Sequence, residues 1–373
     1  MTETISGRLV LPDGILLGHL HIEDDTVARV EPDSAVEDER IVAPGFIDVH
    51  VHGWGGHDAM GGPEALSGMA RALAAHGVTT FLPTSVTASF EKLTRFAEDV
   101  RAWMPVAPAD GAGPLGFNME GPFLAPEKKG AHPLDLLRHP SDLPPDRLAG
   151  WLEGLRVITI APELDGALEL IRTLASHGVR VSLGHSAATV AEARAGYEAG
   201  AVTTTHLFNA MVGLLHRGPG LALEALLDDA VWVELIADTL HVDPELWPLI
   251  WRMKPAERVV LVSDAISLAE SGQRRGMLGA AEVRVDDDKV TLVDGGNLAG
   301  SVMALDREFG NLLRHGVPLV DAAKAAATNA AELLGADDRG RLAAGLRADL
   351  VELDANSYTV RRVMRAGEWI AGA

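Results

Sequence analysis

Residues 179–207 read VRVSLGHSAATVAEARAGYEAGAVTTTHL. The flanking runs, VRVSLGH (179–185) and AVTTTHL (201–207), are apolar or β-branched, as strands buried on both faces should be. Between them TVAEARAGYEAGA (189–201) carries a helical pattern, so the stretch is one strand–helix–strand unit. The same alternation extends outward in both directions. GFIDVHV (45–51), VTTFLPT (78–84), PLGFNME (114–120) and VITIAPE (157–163) precede it, and VWVELIA (231–237) and VVLVSDA (259–265) follow. Helical patterns such as PEALSGMARALAAHG (63–77) and LDGALELIRTLASHG (164–178) end in Gly and run straight into a Val that opens the next strand. Eight strands alternating with helices between residues 45 and 265 predict an α/β fold, a (β/α)8 TIM barrel. The alternative, a doubly wound open sheet, lacks its GxGxxG after the first strand.

The ends have a different texture. Residues 1–43 alternate apolar and polar positions between Gly, Pro and Asp turns, and residues 345–373 repeat the pattern. The expected organisation is a barrel domain over 44–344 and a small β-sandwich domain built from both termini, 1–43 and 345–373. AAEVRVDDDKVTLVDGG (280–296) predicts a hairpin inserted after the eighth strand, and DAAKAAATNAAELLG (321–335) a closing helix capped by Gly335. A chain of 373 residues, 47% hydrophobic and 23% charged, suits a large domain with a small companion.

Composition narrows the function. Lys and Arg total 32 against 53 Asp and Glu, a net charge of −21 with His neutral. That field repels phosphate backbones and anionic membrane surfaces, which argues against nucleic-acid and lipid-surface roles. There is no Cys, so disulfides, thiol catalysis and thiolate metal sites are excluded. No basic flank leads into an apolar run at the N-terminus and no apolar stretch approaches ~20 residues; the chain reads as soluble and cytoplasmic.

The 14 histidines sort by position. His76, His177 and His315 each stand in an HGV tripeptide at a predicted helix end, where an imidazole meets the last carbonyls; these read as structural. His19 and His21 form an HxH on a terminal strand with no third ligand nearby and read as surface residues, while His57, His139 and His216 lie in loops. Five others fall where barrels do chemistry. His50 and His52 end strand one, His185 ends strand five, His206 lies near the end of strand six, and His241 follows strand seven. Glu120 and Asp264 end strands three and eight. C-terminal strand ends converge on one mouth, and residues two apart on a strand face the same way. Imidazoles and carboxylates facing one cavity would be costly without a cation. The N/O donor set suits one or two divalent ions, zinc first, with iron, manganese or cobalt as alternatives. Such an ion lowers the pKa of bound water to about 7 and polarises a carbonyl. The predicted chemistry is metal-assisted hydrolysis, with Asp264 as proton shuttle or, alternatively, only as a ligand. No Lys lies between Lys129 and Lys254, so a carboxylated lysine on strand four is unavailable and Glu120 must bridge or anchor.

Placed strand by strand, these residues resemble the amidohydrolase superfamily, and within it the N-acetylglucosamine-6-phosphate deacetylase family. The matching stretches include APGFIDVHVHGWGG (43–56), NMEGPFLAPEKKGAHP (118–133), SLGHS (182–186), THLFNAM (205–211) and HRGPG (216–220). IADTLHVD (236–243), LVSDAIS (261–267), NLAGS (297–301) and ATNAAELLG (327–335) continue the match over nearly the whole chain. The resemblance implies that Glu120, His185 and His206 hold the main metal and that His50 and His52, with Asp264, support a second. It implies Asp264 as general acid/base and His132 as a catalytic contact near the scissile amide. Asn209, the backbone at Ala210, Arg217 and His241 would bind the sugar phosphate, His241 across a homodimer interface. Leu298, Ala299 and Gly300 would line the acetyl and sugar side. Thr239 departs from the pattern, since a Gly is common there, and would narrow the sugar pocket.

The expected reaction is hydrolysis of N-acetyl-D-glucosamine 6-phosphate to D-glucosamine 6-phosphate and acetate. Metal-bound hydroxide attacks and Asp264 protonates the departing amine. The alternatives are deacetylation of another N-acetyl sugar such as N-acetylgalactosamine 6-phosphate, an N-acyl amino acid hydrolase, or a catalytically silent relative serving as a scaffold. Arg217 among Lys128 and Lys129 is the preferred phosphate cation, the lysines reading as a solvated pair.

Overall fold

Runs of Val, Ile, Thr and Leu buried on both faces become eight parallel strands in the computed structural model, which describes residues 2–37 and 39–372. They are β1 (Phe46–Val51), β2 (Val78–Ser85), β3 (Phe117–Glu120), β4 (Leu155–Ile160), β5 (Arg180–Leu183), β6 (Ala201–Thr204), β7 (Trp232–Leu235) and β8 (Val259–Leu261). Each pairs with the next in chain order. The ring is completed just beyond β8, where Asp264 N donates to His50 O (3.0 Å) and His52 N to Ala265 O (2.8 Å). The Ser263 hydroxyl donates to Asp48 Oδ2 at 2.6 Å across the same seam. The barrel is the one expected, but β4 to β8 all stop short of their predicted ends. His185 (φ 46°) and Asp264 (φ 47°) adopt left-handed backbone, which ends a ladder.

Helices fill the connections and are closed by their own side chains. Ser89 Oγ accepts from Lys92 N at the start of Phe90–Trp103, and Thr189 and Glu192 bond reciprocally at the start of Val190–Glu198. The closing segment runs Leu319–Ala323, a widened turn over Lys324–Thr328, then Asn329–Leu334 ending on left-handed Gly335 (φ 66°). Asn329 Nδ2 donates to Ala256 O and Val259 O, both at 2.7 Å, beside β8. Ala330, Leu333 and Leu334 pack with Ile47 and Val49 of β1, Val260 of β8 and Val262 just beyond it, tying the first strand to the last.

Both termini build one mixed sheet of seven strands. Its order is Glu368–Ala371, Val360–Arg365, Leu350–Asp354, Arg40–Pro44, Thr2–Leu11, Gly14–Glu23 and Thr26–Pro32. Ile5, Leu9, Leu20, Ile22, Val42, Leu350 and Met364 gather in a separate apolar cluster under it. His19 and His21 lie on this sheet as cross-strand partners of Ser6 (2.8 Å) and Thr4 (3.0 Å). The expected hairpin is a three-stranded meander, Arg275–Leu278, Ala281–Asp286 and Lys289–Leu292; its first strand, RGML, carries no β-branched residue to announce it. Leu278, Val283, Val290 and Leu292 pack it onto Val86, Ile266 and Leu268 at the barrel mouth.

The helix-end histidines are structural, by differing means. His177 Nδ1 meets its own helix at Thr173 O (2.9 Å), and His315 lies against the Trp247 ring. His76 instead joins two carboxylates, Asp306 (3.2 Å) and Glu270 (2.9 Å). Burial lowers the His76 pKa, and the hydrogen bonds and charges of Asp306 and Glu270 outweigh it, leaving a net rise. A raised folded-state pKa stabilises most below the unfolded value of about 6.5 and loses that contribution as pH rises through the folded value. His76→Asn is therefore expected to lower Tm more at pH 6 than at pH 9 by calorimetry; an equal loss at both would contradict this.

Candidate metal centre and cleft

Strand-end side chains converge on the floor of the mouth. Glu120, at the end of β3, places Oε1 3.0 Å from His185 Nε2 and 2.9 Å from His206 Nε2. These two imidazole nitrogens are themselves 3.1 Å apart. His50 and His52, alternate residues of one strand, bring their Nε2 atoms to 3.3 Å of each other. Asp264 Oδ1 lies 3.1 Å from His52 Nε2 and 3.6 Å from His50 Nε2. Glu120 reaches this second group as well, at 3.3 Å from His52 and 3.6 Å from His50. Two donor sets result, Glu120–His185–His206 and His50–His52–Asp264, all buried and joined by Glu120.

The donor chemistry fits a divalent cation. His52 Nδ1 faces Thr84 O (3.1 Å) and His185 Nδ1 faces Lys128 O (2.8 Å). A carbonyl only accepts, so both Nδ1 atoms carry hydrogen and both Nε2 lone pairs are left for the cluster. Donors around one tetrahedral ion with bonds of about 2.0–2.1 Å stand roughly 3.3 Å apart, the spacing of these atoms. Outer partners on the far ring nitrogens are the usual orienting device of such ligands.

Electrostatics agree. Burial would push Glu120 up, but His132, His185 and His50 hold its carboxyl well below the usual carboxylate range. Burial lowers His50 and His52; Glu120 with Glu234, and Asp264 with Glu120, reverse it, carrying His50 well above the ordinary imidazole and His52 to about 9. Asp264, raised by burial, is brought down to about 2 by the His52 hydrogen bond and the His50 and His52 charges. Imidazolium protons thus balance the carboxylates of the protein alone. A cation at the same donors must displace them, so its affinity falls as pH drops.

His185 (φ 46°), His206 (φ 28°) and Asp264 (φ 47°) all have left-handed backbone, costly for residues with a Cβ and common where a side chain must be aimed. Glu163, beyond β4, supports one of these turns by accepting from Ser186 Oγ (2.7 Å) and Ala187 N.

Above the donors lies a cleft of ≈ 280 Å³. His132, Asn209, Ala210, His241, Leu298, Ala299 and Gly300 line it, as the sequence led us to expect. His132 is held by Thr87: the backbone N donates to Nδ1 (3.2 Å) and the hydroxyl lies at 2.8 Å. Nδ1 accepts, so Nε2 carries the hydrogen and points at Glu120 Oε2 (3.1 Å). Burial is the main reason the His132 pKa falls to about 4, so this donor is neutral at pH 7.

Asp238 accepts from His241 Nδ1 (2.7 Å) and from the Leu240 and His241 amides, and so holds His241 at the cleft. Three placements differ from expectation. Arg217 is exposed on the loop after β6 and is not part of the cleft wall. The lysines are not a solvated pair: Lys128 lines the cleft, and Lys129 Nζ donates to Gly130 O (3.2 Å) and His132 O (3.3 Å). Thr239, at φ 69°, is exposed and is not among the residues that line the cleft.

Sequence reasoning missed Glu234, Asp238 and Thr87, which hold His50, His241 and His132. Glu234 and Asp238 had a signal: carboxylates inside the apolar run VELIAD.

Comparison with known proteins agrees with this geometry. Residues 41–370 match the model of the amidohydrolase family. The N-acetylgalactosamine-6-phosphate deacetylase of Escherichia coli O157:H7 is 38% identical, the match covering 100% of this chain and 99% of that protein. The crystal structure of N-acetylglucosamine-6-phosphate deacetylase from Thermotoga maritima superposes with a TM-score of 0.92 at 35% identity, covering 100% of both chains. A mutant of the Mycobacterium smegmatis N-acetyl-D-glucosamine-6-phosphate deacetylase, in complex with N-acetyl-D-glucosamine-6-phosphate, gives 0.92 at 33% identity over 99% of each. With its barrel, its strand-end donors and these full-length matches, the chain belongs to the metal-dependent amidohydrolase family.

Proposed function

We propose that this chain hydrolyses N-acetyl-D-glucosamine 6-phosphate to D-glucosamine 6-phosphate and acetate. The observation that carries the reading is the pair of donor sets joined by Glu120 at the floor of a cleft walled by His132, His241 and Leu298–Gly300. The names of the full-length relatives support the substrate class.

Glu120, His185 and His206 would hold one ion, zinc in this reading, and His50, His52 and Asp264 a second. A bound divalent cation supplies Lewis acidity, lowering the pKa of a bound water to about 7 and polarising the acyl carbonyl. Asp264, ionised at neutral pH, takes a proton from the attacking water. It returns that proton to the amide nitrogen as the C–N bond breaks, releasing acetate and the amine. His132 donates Nε2–H to the acyl oxygen as negative charge develops there, and its neutrality keeps that hydrogen in place. At the other end, His241 on its Asp238 support, Asn209, the Ala210 backbone and Lys128 face an anionic group, with Arg217 reaching it from the exposed loop.

The assembly in this reading is a homodimer. Leu214 and Leu215, 42% and 60% exposed beside Arg217, and Leu240, 41% exposed beside His241, support it as apolar surface around the mouth. The same reading puts the chain in the cytoplasm; among the described residues no helix is long and apolar enough to cross a membrane.

The galacto epimer is the second reading, favoured by the name of the Escherichia coli relative. Acetate release from the gluco and galacto 6-phosphates and from unphosphorylated N-acetylglucosamine tests both. The gluco 6-phosphate is expected to have the highest kcat/KM, and Arg217→Ala to raise its KM by about 10–100-fold with kcat kept. Equal turnover of the unphosphorylated sugar would overturn the phosphosugar reading, and a higher value for the galacto compound would exchange the first reading for the second.

A further inference from the structure

Glu234 is a carboxyl with no exposed surface, set in the middle of the apolar strand β7. Its Oε2 accepts from two places at once: His50 Nδ1 at 3.0 Å and the backbone N of His206 at 3.2 Å. Its Oε1 is buried without a hydrogen-bond partner among the described residues. A packing position is better filled by an apolar side chain, because burying a half-satisfied carboxyl costs stability. Such a group is retained where its hydrogen bonds do something an apolar residue cannot.

What those bonds do follows from their ends. His50 has two ring nitrogens; Nε2 faces His52 and Asp264, so Nδ1 alone is left to fix the ring. By accepting from Nδ1–H, Glu234 selects the tautomer whose Nε2 lone pair faces the second donor set. The other bond anchors His206 where its backbone is left-handed (φ 28°), a conformation that relaxes without support. One oxygen therefore links a ring of the second donor set to the main chain of the first.

We propose that Glu234 is the positioning residue of a two-ion centre: it orients His50 for the second ion and sets the spacing between the two donor sets. The proposal rests on the metal-dependent reading above and deepens it, since it says which group makes the second site bind.

The test uses Zn2+ alone, titrated calorimetrically into chelator-stripped wild type, Glu234→Ala and Glu234→Gln, with bound metal counted by mass spectrometry after dialysis. Wild type is expected to hold two Zn2+ per chain. Glu234→Ala is expected to keep the tighter ion within about threefold and weaken the second by about 10–100-fold, the usual cost of losing an orienting partner. Glu234→Gln, whose amide oxygen still accepts from His50 Nδ1, is expected to recover most of that loss, which a merely structural lesion would not allow. If Glu234→Ala does not fold, Glu234→Leu takes its place, filling the same buried space without an acceptor. A weakened second ion beside a retained first then supports the proposal. Two ions bound at wild-type affinities by Glu234→Ala, or by Glu234→Leu where the alanine variant does not fold, overturn it, as does a wild type that takes only one. Because the readout is binding, a wild type that takes two ions but cleaves no acetyl sugar would sink the substrate reading and leave this one standing.

Discussion

Glu120→Ala is expected to abolish turnover and strip the protein of its bound cations together. Glu120 Oε1 stands at 3.0 Å from His185 and 2.9 Å from His206, and the same carboxyl lies 3.3 Å from His52. Removing it takes a ligand from the first donor set and the connection to the second. It also removes the counter-charge that holds several imidazoles in one buried space, so they deprotonate or repel. The expected loss of kcat/KM exceeds about 10⁴-fold, since both the ion and the positioning it provides go at once. Metal analysis of the purified variant and circular dichroism check the account. A folded Glu120→Ala that retains wild-type metal would contradict it.

Asp264→Asn is expected to fall differently. Asn keeps the size of the side chain and can still accept from a neighbour, but it cannot take a proton from water at neutral pH. The expected result is a kcat lower by about 10²–10⁴-fold, with the ion held by Glu120, His185 and His206 retained and KM little changed. Because the wild-type carboxyl is brought down to about 2, any loss of wild-type activity on acidification is expected to come from the imidazoles and the metal they would hold. Asp264→Asn is accordingly expected to show the same acid-side fall of metal content as wild type. Equal losses of kcat and bound metal would make Asp264 a ligand without a proton-transfer role.

Much of this was legible in the chain. Strands buried on both faces have no polar alternation to hide them, so β1, β4 and β7 could be placed from composition alone. Residues at strand ends must meet at the barrel mouth, which brought His50, His52, Glu120, His185, His206 and Asp264 together without coordinates. What could not be read depends on orientation rather than position. Glu234 lies 184 residues from the His50 it holds, and whether its side chain faces that ring is decided by strand twist and stagger. The strand ends were over-read for the same reason: only the folded chain forces His185 and Asp264 into left-handed backbone. The family resemblance implied Arg217 at the sugar phosphate, and the chain carries it on an exposed loop rich in Gly and Pro, outside the cleft wall. Lys129 looked solvated because its carbonyl partners, Gly130 and His132, exist only once the loop has closed.

The central claim is that the strand-end cluster is a metal centre that cleaves an acetyl amide. Its most direct test is acetate release from N-acetylglucosamine 6-phosphate by chelator-stripped protein as Zn2+ is returned. The account predicts negligible turnover in the stripped protein and activity rising with each equivalent of metal until the donor sets are full. Turnover by metal-free protein at the rate of the untreated enzyme would contradict it.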